Sequence, residues 1–237
     1  MGTLINVGAI IIASLLGVIF KRGLPEKIQK SVMMVLGLGL IALSLGWFFK
    51  DFLVIDGSSI STRHDLLIII SLVLGVMIGE WIDIDLRLNR WAEGIEKKYN
   101  LPPLAKGFIT ATLIFCVGAM AIVGSIQDGL YGDITTLVIK SALDFVTAII
   151  LASILGIGVI FSAVSVLIYQ GGLTLLASSA QSFLTQDMII SLSMVGNILL
   201  IAIGINFMEI KKIKVANMLP AIFIPILYFL VISWFSS

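Results

Sequence analysis

Charged side chains are scarce in this chain: Asp, Glu, Lys and Arg make up 12% of its 237 residues, whereas hydrophobic residues make up 59%. The mean hydropathy of +1.15 lies outside the range of soluble domains. No basic patch stands apart from the loops between apolar runs, which excludes nucleic acid as a partner. The net charge of +1 gives no indication of other partners.

Residues and motifs that carry enzyme chemistry are equally rare. The single cysteine, Cys116, excludes an intrachain disulfide, and the single histidine leaves no second imidazole for a metal site. The sequence contains no HExxH, no GxSxG with acid and base partners, and no phosphate-binding GxxxxGK(S/T). We therefore expect no enzyme, no ATP-driven pump, no cofactor and no metal.

Long apolar runs are what the sequence has in abundance. Several of them reach the roughly 20 residues that a helix needs to cross a bilayer, and runs without alternation favour helices over a barrel. The sequence predicts an all-α, polytopic integral membrane protein that forms a single transmembrane domain over residues 1–237. Eight helices are predicted, near residues 3–20, 32–49, 66–82, 107–126, 134–154, 158–180, 188–207 and 216–234.

The charges of the loops orient these spans. Twelve of the 15 Lys and Arg residues fall in alternate loops, after the first, third and seventh predicted helices. The positive-inside rule places these loops in the cytoplasm, so both termini are predicted outside.

Three segments leave the architecture open. Between 154 and 172 only Gly156-Ile-Gly158 offers a turn, so we predict two full spans, with a broken or re-entrant segment as the alternative. Residues 83–98 have apolar side chains at helical spacing, which predicts an amphipathic helix on the cytoplasmic membrane surface. Residues 71–79 resemble 193–204, a weak signal of an internal four-plus-four repeat.

Lys140 and Asp144 stand four residues apart within the apolar run 134–155. At this spacing on a helix the ammonium and the carboxylate share a face and can meet. Asp144 lies roughly 15 Å into its helix, close to the middle of the bilayer. Charges at that depth are costly and typical of functional sites. We interpret Asp144 as an ion- or proton-binding carboxylate and Lys140 as its counter-ion; a structural ion pair between helices is the alternative.

Other polar residues near this pair are candidates for binding a substrate. Ser125, Gln127 and Asp128 lie at the outer end of helix 107–126, where an ordinary polar loop is the alternative. Gln170 begins a Gln-Gly-Gly sequence that we expect to loosen its helix, and Asn197 lies in helix 188–207. Packing faces of small and polar residues are the alternative for these two. Asp133 is predicted to cap helix 134–154.

Several longer strings resemble one bacterial family. These strings are Cys116-Val-Gly-Ala-Met-Ala-Ile-Val-Gly-Ser-Ile-Gln-Asp-Gly-Leu-Tyr-Gly-Asp133, Lys140-Ser-Ala-Leu-Asp144, residues 151–163, Tyr169-Gln-Gly171 and Val215-Ala-Asn-Met-Leu-Pro-Ala221. They resemble the YqgA/YdfK-like inner-membrane proteins over the full chain. That family is classed as a domain of unknown function and usually described as a candidate transporter. The resemblance implies a bacterial inner-membrane location and supplies no substrate.

The sequence as a whole predicts a secondary transporter or ion-coupled permease. Its site is expected where the predicted helices 107–126, 134–154 and 158–180 meet. The expected partners are the lipid bilayer and a small solute or ion, coupled to protons or sodium, and a homo-oligomer is left open. An ion channel is one alternative. A membrane scaffold or sensor acting through loop 83–106 is another.

Overall fold

The computed structural model describes residues 1–21, 25–57, 59–99, 103–116, 119–177 and 185–235. The predicted all-α, polytopic architecture is confirmed, because 7 helices are long and apolar enough to cross a membrane. The helices are α1 (Gly2–Lys21), α2 (Glu26–Phe52), α3 (Asp65–Ile82), α4 (Ile84–Tyr99), α5 (Ala105–Cys116), α6 (Ala119–Tyr131), α7 (Thr135–Leu155), α8 (Gly158–Leu175), α9 (Gln186–Phe207), α10 (Val215–Met218) and α11 (Phe223–Phe235).

The sequence predicted a single helix over residues 107–126, and this prediction was wrong. The structure has two helices there, α5 and α6, and the segments Ala105–Cys116 and Met120–Tyr131 are inclined by 62°. Composition conceals this break because the apolar sequence continues on both sides of it. The structure therefore places a bend in a part of the chain where the sequence predicted none.

The bent pair follows α8 in one direction within the first unit. A Cβ atom on Gly107, near the start of α5, would meet Gly158 at the start of α8. One on Gly129, near the end of α6, would overlap the Thr174 carbonyl near the end of α8. The described residues thus contain 7 helices that could cross a membrane, or up to 8 spans if the bent pair is one span, which agrees with the prediction of about eight.

The segment 154–172 contains a tight turn between two long helices. Helix α7 ends at Leu155, Gly156 takes a left-handed φ of 83°, and α8 begins at Gly158. Glycine suits this position because it has no Cβ to clash at positive φ. Helix α8 then continues through Gln170 and the two glycines that follow, so the expected loosening does not occur. The prediction of two full-length helices is confirmed, and residues 178–180 of predicted helix 158–180 lie outside the described residues.

Two other elements differ from the predicted spans. Helix α2 extends beyond 32–49 and leads into an antiparallel hairpin of β1 (Leu53–Asp56) and β2 (Ser59–Thr62), with Leu53 paired to Thr62 and Asp56 to Ser59. The last span is divided into α10, a 3₁₀ turn (Leu219–Ile222) and α11. Pro220 explains the tighter turn, because proline lacks an N–H and crowds the preceding turn of a helix. The amphipathic helix predicted at 83–98 is present as α4.

The chain divides into two compact units. The first unit comprises Met1–Met33 and Leu86–Ser182, and the second comprises Met34–Asp85 and Phe183–Ser237. Both stretches that suggested a repeat, 71–79 and 193–204, belong to the second unit. The division therefore does not follow a four-plus-four repeat along the sequence.

Close backbone contact holds helices together in the second unit. A Cβ atom on Gly79 would overlap the Asn217 carbonyl, and one on Gly75 would overlap the backbone of Ala221. Small residues four apart let helices approach closely in membranes. The Asn217 side chain also accepts a hydrogen bond from the Asp85 N–H at 2.6 Å, at the start of α4. The Gly75–Gly79 pair thus packs within its own chain.

Candidate functional site

The charged pair that the sequence predicts in α7 is formed. The Lys140 ammonium donates a hydrogen bond to Oδ2 of Asp144, one turn further along the same helix. Only 8% of the Lys140 side chain and 10% of the Asp144 side chain are exposed. Both charges are thus almost completely removed from solvent, and each depends on the other for compensation.

Two amide side chains from neighbouring helices join this pair. Asn6 of α1 donates to Oδ2 of Asp144 at 2.9 Å and to Oε1 of Gln170, on α8, at 3.3 Å. Both amides are fully buried. We call Asn6, Lys140, Asp144 and Gln170 the polar cluster; it connects α1, α7 and α8 within the first unit.

The energetics of the polar cluster are dominated by its charges. A hydrogen bond between transmembrane helices contributes about 0.6 kcal/mol on average, whereas removing one member of a buried ion pair costs about 3–5 kcal/mol. The amide contacts of Asn6 therefore orient Asp144 more than they stabilise the unit. A buried carboxylate held in this way can exchange partners only if its new partner also compensates its charge.

The first helix of the bent pair packs against the helices that carry the polar cluster. Helix α5 contacts both α7 and α8. The Thr112 hydroxyl on α5 donates a hydrogen bond to the Ser165 hydroxyl on α8 at 3.2 Å. Interrupted helices at polar sites are typical of transporters.

Three predicted site residues of α6 lie toward the end of the unit where α1 and α7 begin. Asp128 and Gln127 bond to neighbouring helices, whereas Ser125 bonds within α6. Oδ2 of Asp128 accepts hydrogen bonds from the backbone nitrogens of Met1 and Gly2, each at 2.9 Å. Gln127 accepts from the Thr136 hydroxyl at 2.7 Å, and Ser125 donates to the Ala121 carbonyl. Together with a contact between Thr3 and Thr174 at 3.3 Å, these bonds link α8 to α1, α1 to α6 and α6 to α7.

Asp133 lies one residue before the N-cap of α7, which is Ile134, so the prediction that Asp133 is the N-cap was off by one residue. Its Oδ1 accepts a hydrogen bond from the Thr135 N–H at 2.9 Å. The Thr135 hydroxyl and the Thr135 N–H together hold the pKa of Asp133 below its ordinary value.

The polar cluster is closed on its other side by apolar packing. Ile10 and Ala13 on α1 have no exposed surface, and neither do Leu151 and Ala152 on α7. Further along, Gly17 brings the backbones of α1 and α7 into contact. Polar groups thus continue from the cluster toward the start of α1, whereas in the opposite direction these apolar side chains are joined by one fully buried hydroxyl on α1, that of Ser14.

Asn197, another predicted site residue, is not part of the polar cluster. This residue lies on α9 in the second unit, buried, where its amide donates to the Ser193 hydroxyl at 3.4 Å. Of the seven predicted site residues, the polar cluster contains Lys140, Asp144 and Gln170. It also contains Asn6, which the sequence reasoning missed, although an amide inside the apolar run 3–20 was a detectable signal.

Metal ligation finds no support in the described part of the chain, where no group of three or more His, Cys, Asp or Glu side chains could hold an ion.

Comparison with known proteins places the whole chain in one family. The profile of "Protein of unknown function (DUF554)" matches residues 1–230. "Uncharacterized membrane protein YdfK" of Bacillus subtilis (strain 168) is 33% identical over 234 residues, which cover 99% of this chain and 97% of that protein. "Uncharacterized protein YqgA" of Escherichia coli (strain K12) is 30% identical over 229 residues, covering 94% and 93%. No solved structure matches. The resemblance inferred from the sequence is thus confirmed, and the chain belongs to the DUF554 family of membrane proteins.

Proposed function

We propose that this protein is a secondary transporter or ion-coupled permease whose intramembrane site is the polar cluster. The observation that carries the proposal is the convergence of a lysine, a carboxylate and two amides from α1, α7 and α8, all at least nine-tenths buried. Ionisable groups inside membrane proteins typically serve ion, proton or substrate pathways.

The proposed mechanism uses partner exchange at Asp144. In one state the carboxylate is bound to Lys140 and Asn6, as it is here. A proton, a sodium ion or a substrate that compensates the carboxylate releases Lys140, whose buried ammonium then needs a counter-charge of its own, such as an anionic group of the substrate. The bent pair of α5 and α6, whose first helix packs against α7, is the element we propose to move.

Purified protein in proteoliposomes tests this function. Imposed proton or sodium gradients should drive uptake from a panel of small ions, amines, carboxylates and amino acids without ATP. Uptake should saturate, because each cycle needs a conformational change in the microsecond-to-second range. Asp144→Asn should abolish uptake in a protein that remains folded, whereas Thr147→Val, on an exposed hydroxyl of the same helix, should not. Single-channel currents would favour a channel. No flux for any solute would favour the scaffold role through loop 83–106.

The proposal includes an orientation in the bacterial inner membrane, with both termini outside. The basic loops carry this assignment. Single cysteines in a Cys116-free background should be labelled from outside at positions 60 and 130, and only from inside at positions 95 and 212. Labelling of position 95 in intact cells would reverse the orientation.

A further inference from the structure

The polar cluster contains buried groups whose hydrogen-bonding capacity is not used. Eight buried side-chain atoms of the described residues have no hydrogen-bond partner, and two of them, Oδ1 of Asn6 and Nε2 of Gln170, belong to the polar cluster. Buried polar atoms are bonded in the great majority of cases, and leaving one unpaired costs about 1–3 kcal/mol. An acceptor and a donor without partners beside a charged pair indicate that the cluster is built to receive a molecule with complementary groups.

The charged pair can also form further hydrogen bonds. The bonds from Lys140 and from Asn6 both end on Oδ2 of Asp144, and the described residues supply no donor to its Oδ1. The ammonium of Lys140 has three N–H groups and donates one of them to Asp144. The cluster therefore offers acceptors on Asp144 and Asn6, and donors on Lys140 and Gln170.

The balance of charge in the cluster limits what it can bind. One positive and one negative side chain compensate each other here, and the nearby Asp128 is bonded to the backbone nitrogens at the start of α1. A lone cation at Asp144 would meet the ammonium of Lys140, and a lone anion at Lys140 would meet the carboxylate. Either would leave one buried charge uncompensated, which is strongly unfavourable in a low dielectric.

We infer that the polar cluster binds a small zwitterion, a molecule with one ammonium and one carboxylate group. This inference rests on the proposed transport function and specifies its substrate class. The ammonium of the solute takes the place of Lys140 at Asp144, with the amide oxygen of Asn6 as a second acceptor. The carboxylate of the solute accepts a hydrogen bond from the Lys140 ammonium, with the Gln170 amide as a second donor. One buried ion pair becomes two, and the net charge of the site is unchanged.

Binding to the purified full-length protein tests this assignment. The probes are glycine, β-alanine and γ-aminobutyrate, which differ in the separation of their charges, against methylammonium and acetate, which each carry one charge. At least one zwitterion should raise the melting temperature and bind in calorimetry. Methylammonium and acetate should bind at least about 100-fold more weakly, because each leaves a buried charge without its partner.

Variants of the amides separate recognition from packing. Asn6→Leu and Gln170→Leu remove the unpartnered groups while keeping side chains of similar size, and each should weaken zwitterion binding at least about tenfold. The control is Thr112→Val, which removes a hydrogen bond to Ser165 between α5 and α8, outside the cluster, and should leave the affinity unchanged. Melting curves without ligand report whether each variant is folded.

The outcomes distinguish this inference from the proposed function. If methylammonium or acetate binds as tightly as every zwitterion, or if no zwitterion binds, the inference is wrong even when gradient-driven uptake of another solute is found. Zwitterion binding that is unaffected by Asn6→Leu and Gln170→Leu, both folded, also overturns it. Zwitterion binding without any uptake supports the site assignment and rejects the transporter.

Discussion

The two units of this protein differ in where their charges lie. Every charged residue that is buried in the described part of the chain belongs to the first unit, where Asn6 of α1 bonds to Asp144 on α7 and to Gln170 on α8. In the second unit the described ion pairs are partly exposed, such as Lys214 with Glu80. Glycines bring backbones into close contact in both units, at Gly17 in the first and at Gly79 in the second.

This difference distinguishes contacts that only pack helices together from polar contacts that can also bind a ligand. Transmembrane helices gain little from hydrophobic attraction in lipid, so they associate through close van der Waals contact or through polar bonds. Close contact, as at Gly79, leaves no room for a ligand and gives a rigid assembly. Polar bonds can exchange partners, and so the first unit is where a binding site is expected. Four predictions test the contrast.

The largest effect is expected from breaking the buried pair. Lys140→Met leaves the Asp144 carboxylate without its counter-charge and should destabilise the protein by about 3–5 kcal/mol. The double variant Lys140→Met with Asp144→Asn should recover much of this loss without recovering transport. Unfolding in SDS-containing micelles gives the free energies. A Lys140→Met protein as stable as the wild type would show that the pair contributes nothing to the first unit.

Close packing in the second unit gives the next largest effect. Gly79→Ala places a methyl group where the Asn217 carbonyl lies and should cost about 1–3 kcal/mol or more, since the obstacle is backbone. The matched control is Gly39→Ala on α2, where an added Cβ would meet nothing within 4 Å. The same unfolding measurement should find Gly39→Ala at least as stable as the wild type. Equal effects of the two substitutions would contradict the role assigned to close contact.

Exposed charges of the second unit should matter less. The hydrogen bond to Glu80, with the nearby charge of Asp83, raises the pKa of Lys214 above its ordinary value of 10.5. A raised lysine pKa contributes stability below the ordinary pKa, and the contribution is lost as pH rises through the raised one. Lys214→Met should therefore lower the melting temperature slightly at neutral pH, less so at high salt. A difference of the same size at high salt would argue against an ion pair.

The smallest effect is expected at Asp133, which accepts a hydrogen bond from the first residue of α7 in the first unit. Because the pKa of Asp133 is lowered from 3.8, its contribution is present above that value and is lost as pH falls through the lowered pKa. Asp133→Ala should slightly lower the melting temperature at neutral pH and make no difference in strong acid. Asp133→Asn should retain part of the effect, since its carbonyl still accepts from Thr135. An effect that persists unchanged in acid would point to a cause other than the charge.

Sequence reasoning succeeded where composition alone decides structure. Long apolar runs predicted the spans, the spacing of Lys140 and Asp144 predicted their contact, and the pattern of 83–98 predicted α4. Sequence reasoning failed where contacts with other parts of the chain determine the local structure. The bend between α5 and α6 interrupts an apolar run that looks continuous, and the hairpin at Leu53–Thr62 lies in what reads as an ordinary loop.

The sequence by itself determined that this is a helical membrane protein with a charged pair inside a long apolar helix, because both follow from local composition and from the pitch of a helix. Only the tertiary structure decided which residues share the pair. Asn6 and Gln170 are 164 residues apart, yet they meet because α1 packs against both α7 and α8. Likewise, Asp128 bonds to α1, Gln127 bonds to α7 and Ser125 bonds within its own helix. Asn197 lies in the other unit. Contacts between distant helices depend on how side chains and glycines fit together across them, and no spacing along a single chain segment records that fit.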